Sequence, residues 1–151
     1  MVPRVTYMGD PYSCAFSGKA LTFFSSRNLA SPELVEQRAI DERIDSVFYS
    51  DEYAAAIVRN TTGEYGSRLE VYKKDGTHVL SKEFNFEYTN ADLDGDLIIL
   101  YNEDSCRIYN MSGTEKLDAA FDFPVSKIRK GRFPGTLVVT GPQQMRELKL
   151  R

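Results

Sequence analysis

The residues best suited by type and spacing to do chemistry are acidic: Asp92-Leu-Asp94-Gly-Asp96, followed by Glu103-Asp104. Carboxylate oxygens at this density are the hard ligands that Ca²⁺ takes. The order departs from an EF-hand loop, however, which carries its Gly after the third acidic position and its closing Glu six residues later. In an extended segment alternate residues share a face, so Asp92 and Asp94 face together only until an Asp94-Gly95 turn redirects the chain. A solvated hairpin accounts for such a run. A glycosidase would need one protonated and one ionised carboxyl on either side of a sugar, and nearness in sequence supplies neither.

The opposite charge gathers in Lys127-Ile-Arg129-Lys130-Gly-Arg132. Such a stretch could contact a phosphate, an anionic wall polymer or an acidic partner. Alternation puts Lys127 and Arg129 on the face opposite Ile128, and basic side chains also protect strand edges from adventitious pairing. The stretch therefore also reads as a polar outer edge, and it lacks the interleaved aromatic platform that single-stranded nucleic acid stacks on. His78, the one histidine, has no G-x-S-x-G elbow and no Cys/His partner near it, so it reads as an exposed strand residue after the Gly76-Thr77 turn. Cys14 and Cys106 stand far apart with no C-x-x-C spacing and read as buried free thiols. No Gly-rich phosphate loop is present, no cofactor is implied, and no catalytic residue or metal ligand is assigned. The binding candidates are Asp92, Asp94, Asp96, Lys127, Arg129, Lys130 and Arg132.

Those candidates must be held by strands. The chain of 151 residues is 42% hydrophobic and 27% charged, ordinary for a soluble globular domain, and its nine Tyr and nine Phe with no Trp suit pleated, half-buried surfaces. A net charge of −3 gives no general reason to seek nucleic acid or a membrane surface. The charge is nonetheless uneven: residues 124–151 hold seven Lys or Arg against Glu147 alone, which leaves −9 on residues 1–123. No apolar run approaches the ~18 residues of a spanning helix, and the N-terminal residues lack a signal-peptide apolar region.

An internal repeat organises the rest. Glu70-Val-Tyr-Lys-Lys-Asp-Gly-Thr77 returns 37 positions later as Arg107-Ile-Tyr-Asn-Met-Ser-Gly-Thr114, and the same offset carries Leu80 to Leu117, Phe84 to Phe121 and Phe86 to Phe123. Apolar runs at 20–24, 55–58, 97–101 and 136–140 read as strands buried on both faces, whereas 68–72 and 106–109 alternate as strands with one face in the core would. Asp75-Gly76, Asp94-Gly95, Ser112-Gly113 and Ser17-Gly18 supply hairpin turns. Four strands in about 37 residues is the size of a propeller blade. The expected fold is therefore all-β, a β-propeller-type repeat of four-stranded antiparallel blades in a single domain, with blades near 1–43, 44–84, 85–121 and 122–151. Ser31-Pro32-Glu33 looks locally like a helix start, but the shared period favours a strand over 31–40, with Leu34 and Val35 equivalent to Val71 and Tyr72. About three and a half blades leave apolar faces to cover. A longer parent protein, a homodimer closing a ring, or a tight small propeller completed by a lone N-terminal strand at Val5-Thr-Tyr7 would each cover them.

The segments Ile44-Asp-Ser-Val-Phe-Tyr-Ser-Asp-Glu-Tyr-Ala-Ala-Ala-Ile57, Gly95–Tyr101, Cys106–Gly113 and Arg146–Leu150 resemble the C-terminal half of a bacterial family of unknown function. That resemblance implies an extracytoplasmic propeller-like domain which, in the parent proteins of gut-dwelling Gram-positive bacteria, follows a single membrane anchor absent from this sequence. Its motifs are strand and turn patterns, so it transfers no site residue. The function expected is non-enzymatic binding or scaffolding of a protein, peptide or glycan by loops on a rigid frame. A propeller-type carbohydrate hydrolase and a truncated chain without independent function are the alternatives.

Overall fold

In the computed structural model the described residues, 4–7, 12–16, 20–25, 33–39, 44–59 and 65–150, form strands and turns without a helix. The strands are β1 (Arg4–Tyr7), β2 (Tyr12–Phe16), β3 (Ala20–Ser25), β4 (Glu33–Ala39), β5 (Ile44–Tyr49), β6 (Tyr53–Arg59), β7 (Ser67–Lys73) and β8 (His78–Phe84). They continue as β9 (Asn90–Asp94), β10 (Leu97–Tyr101), β11 (Ser105–Asn110), β12 (Glu115–Ala120), β13 (Lys127–Lys130), β14 (Thr136–Thr140) and β15 (Met145–Lys149). Consecutive strands pair antiparallel into sheets β1-β2-β3-β4, β5-β6-β7-β8, β9-β10-β11-β12 and β13-β14-β15. Two compact units carry them, residues 1–85 the first two sheets and residues 86–151 the last two.

The 37-residue repeat has a geometric cause. Gly76 N–H donates to Lys73 O and Lys73 N–H to Thr77 O; one repeat later Gly113 N–H donates to Asn110 O and Asn110 N–H to Thr114 O. A bulge falls at the same place in both hairpins, between Val71 and Tyr72 and between Ile108 and Tyr109. The two glycines hold φ of 88° and 84°, and Gly95 holds 61° in the β9–β10 turn, all in the region L-residues avoid. The Ser17-Gly18 turn and the start of the 31–40 segment lie outside the described residues; 33–39 is a strand, as the period required.

The first sheet departs from the expected equivalence. The apolar run 20–24 forms the third strand of its sheet, whereas 55–58, 97–101 and 136–140 fall in second strands. Leu34 and Val35 thus sit on a fourth strand and Val71 and Tyr72 on a third. The segment Val5–Tyr7, expected as a lone strand, is paired with β2, Val5 opposite Ala15. A whole strand ahead of β2 shifts the phase by one, because a 37-residue offset is blind to which of four similar strands it lands on. β3 also alternates between half-buried and buried residues, where burial of both faces was expected, while every residue of β10 is buried.

Each unit has its own core. In the first, Cys14, Leu21 and Phe23 of the first sheet pack with Ala54, Ala56, Val58 and Tyr72 of the second. In the other, Leu97, Ile99, Tyr101, Cys106 and Ile108 pack with Ile128, Leu137 and Val139. Both cysteines are buried and free, and burial pushes each thiol from its ordinary 9.0 up to about 12. Between those values the unfolded chain releases protons that the folded chain retains, so stability is expected to fall as pH rises from 9 towards 12. Intact-mass measurement after iodoacetamide at pH 8 should find neither thiol modified in the folded protein and both modified after denaturation.

Candidate binding surface

The two charged clusters read from the sequence meet in the second unit. Antiparallel pairing on β10 sets Asp92 opposite Ile99 and Asp94 opposite Leu97, which aims the acidic strand end and its Gly95 turn at β13. Lys127 Nζ reaches Asp92 Oδ2 at 2.8 Å, Lys130 N–H donates to Asp94 Oδ2 at 2.8 Å, and Lys130 Nζ lies 3.5 Å from Asp96 Oδ1. The hydrogen bond to Asp92 raises the Lys127 ammonium above its ordinary value. Three carboxylates are thus turned towards two lysines. Among the described residues no three His, Cys, Asp or Glu side chains are grouped to hold a metal ion.

Arg129 and Arg132 remain exposed beside this seam and make no ion pair among the described residues. Ile128, between Lys127 and Arg129, is fully buried, as alternation required, because it sits opposite Val139 in the core. The seam itself is solvated, with the side chains of Lys127 and Asp92 55% and 39% exposed. Asp92→Asn is accordingly expected to lower stability by less than about 1 kcal/mol, read from urea unfolding followed by circular dichroism.

A second polar cluster was not legible in the sequence. Glu70, on β7, is buried, and its carboxylate accepts from Arg68 Nε at 2.8 Å and Ser81 Oγ at 2.6 Å on one oxygen, with His78 Nε2 2.9 Å from the other. The histidine is the exposed strand residue expected, but its ring also stands edge-on to Tyr72, 5.3 Å between centroids. Ser81 spends its proton on the carboxylate instead of on the histidine, so a serine nucleophile with a hydrogen-bonded base is not formed here. The signal that could have found this cluster is the Asp75-Gly76 hairpin: pairing outwards from it, with the one-residue bulge between Val71 and Tyr72, sets Ser81 opposite Glu70.

A repeated arginine clasp completes the polar inventory. Arg68, Arg107 and Arg146 stand 39 residues apart on the third strands of their sheets. Arg107 lies 5.2 Å from the ring centroid of Phe86 and Arg146 5.1 Å from that of Phe123, each Phe preceding the first strand of the same sheet. Arg107 is flanked by Glu115 and Asp118 of β12, and Arg146 by Asp122. A shallow depression of about 250 Å³ at the end of the second sheet is lined by Glu52, Tyr53, Lys73, Lys74 and Asp75, with Lys74 3.5 Å from Glu52.

The computationally designed Ika4 protein is similar in structure, with a TM-score of 0.59 at 7% identity over 100% of this chain and 94% of that one. Kluyveromyces lactis Hsv2 gives 0.55 at 10% identity over 99% of this chain and 47% of that one. BBS1N, solved in complex with ARL6DN, gives 0.54 at 10% identity over 99% and 51%. These likenesses establish a β-propeller-type fold, and this chain spans about half the length of the latter two. No curated protein matches the sequence. The model of a family of unknown function, DUF5711, matches residues 1–150.

Proposed function

We propose, from the premise that this chain belongs to the DUF5711 family of unknown function, that it is a non-enzymatic binding or scaffolding module of propeller type. The observation that carries the reading is the seam of the second unit. Its three carboxylates are directed at Lys127 and Lys130, an arrangement that fixes two sheets together and spends the acids on the lysines instead of aiming them into a cleft. General acid catalysis needs a protonated carboxyl facing an open cleft. The two arginines left over, Arg129 and Arg132, present charge outwards on a rigid strand end, as recognition surfaces do. A protein, peptide or glycan carrying carboxylates suits them. Placement outside the cytoplasm, on an anchored parent protein of a bacterial cell surface, belongs to the same proposal.

Hydrolysis of a panel of glycoside and peptide substrates, with and without divalent cations, tests the enzymatic alternative. No turnover above buffer is expected from the chain, and metal-dependent hydrolysis abolished by Asp94→Ala would overturn the proposal. Protease treatment of intact cells expressing the full gene with a C-terminal tag tests the location. Loss of the tag before lysis is expected, and protection until lysis would overturn that part.

A further inference from the structure

We infer that the free edge of β15 is a self-association surface, on which a second copy of this chain adds its own β15 antiparallel about a two-fold axis at Leu148. Among the described residues β15 has one sheet neighbour, β14, so one side of its backbone is available for pairing. Which groups point outwards follows from the register. Leu150 N–H donates to Gly135 O, and Gly141 N–H to Gln144 O, which extends the pairing of Thr136 with Lys149 and of Thr140 with Met145. The even-numbered residues therefore spend their N–H and C=O groups on β14, and those of Met145, Glu147 and Lys149 point away from it.

An isologous antiparallel pairing must set residues of the same face opposite one another, which requires the axis to pass through a residue. At Arg146 it opposes two guanidinium groups, and at Glu147 two carboxylates. At Leu148 it sets Glu147 against Lys149 of the second copy, twice by symmetry, with outward N–H and C=O groups that bond reciprocally. Leu148, half-buried against the second unit's core, then meets its own copy in the closely spaced pair between them. Glu147 and Lys149 are both exposed, so the four charges are free to match. The sequence of one strand thereby favours a single register.

Sedimentation equilibrium of the chain tests this directly. A monomer–dimer equilibrium is expected, weakened about tenfold or more by Glu147→Lys or by Lys149→Glu, each of which sets like charges opposite one another, and restored when both are combined. Circular dichroism of these exposed-site variants should match the parent. Leu148→Cys should yield a disulfide dimer under copper–phenanthroline oxidation, since closely spaced antiparallel pairs bring Cα atoms to about 4.5 Å, while Glu147→Cys should not. A chain that stays monomeric at its highest soluble concentration, or a dimer indifferent to the charge swaps, would overturn the inference.

Discussion

Phe23→Ala is expected to lower the stability of the chain by about 3–5 kcal/mol, because its ring fills space that no neighbour can reach. Phe23 is fully buried on β3 and lies 5.9 Å from the Tyr72 ring at 55°. Opposite it, β6 presents Ala54 and Ala56 to the same cluster. Small side chains on one sheet make room for a large one on the other, so interdigitation is high and adaptability low. Truncation leaves a hole lined by methyl groups fixed to a central strand, and collapse recovers little. Phe23→Leu retains most of the volume and is expected to cost about 1–2 kcal/mol. Urea unfolding followed by far-ultraviolet circular dichroism, with the slope unchanged, reads both. Equal losses from the two substitutions would mean that the ring is not what fills this space.

The same interdigitation explains why the fold was legible from residues alone. The runs around 55–58, 97–101 and 136–140 are central strands and had to be apolar on both faces. Gly76, Gly95 and Gly113 had to be glycine, because each turn holds a positive φ. What failed was phase. β3 and β6 are both apolar, and nothing in the local sequence pattern records that one is third in its sheet and the other second. The candidate site was legible as two clusters but not as one. Asp92 and Lys127 are 35 residues apart, close to one repeat, and that spacing sets first strands of successive sheets side by side. Reading the period as adjacency, and not only as recurrence, would have paired them. Glu70 was missed because a single acid within alternating residues looks like a solvent-facing position until its strand neighbours are known.

Glu70 also carries the second large effect. Glu70→Ala is expected to cost about 2–3 kcal/mol, since it strips Arg68, His78 and Ser81 of one shared acceptor at a buried position. Removing one member of a fully buried pair costs about 3–5 kcal/mol. The figure here is lower because the Arg68 and His78 side chains are 23% and 42% exposed and regain water. Glu70→Gln keeps the shape and one acceptor oxygen and should cost about 1 kcal/mol less than alanine. Replacing Arg68 and Glu70 together by methionine removes donor and acceptor at once, so the double variant should be more stable than Glu70→Ala. A double-mutant cycle on urea midpoints measures this coupling. Additive losses would show that the arginine and the carboxylate are independent. A coupling above about 1 kcal/mol would establish the cluster as a structural tie within the second sheet, its serine and histidine held as donors to one carboxylate instead of as a nucleophile and its base.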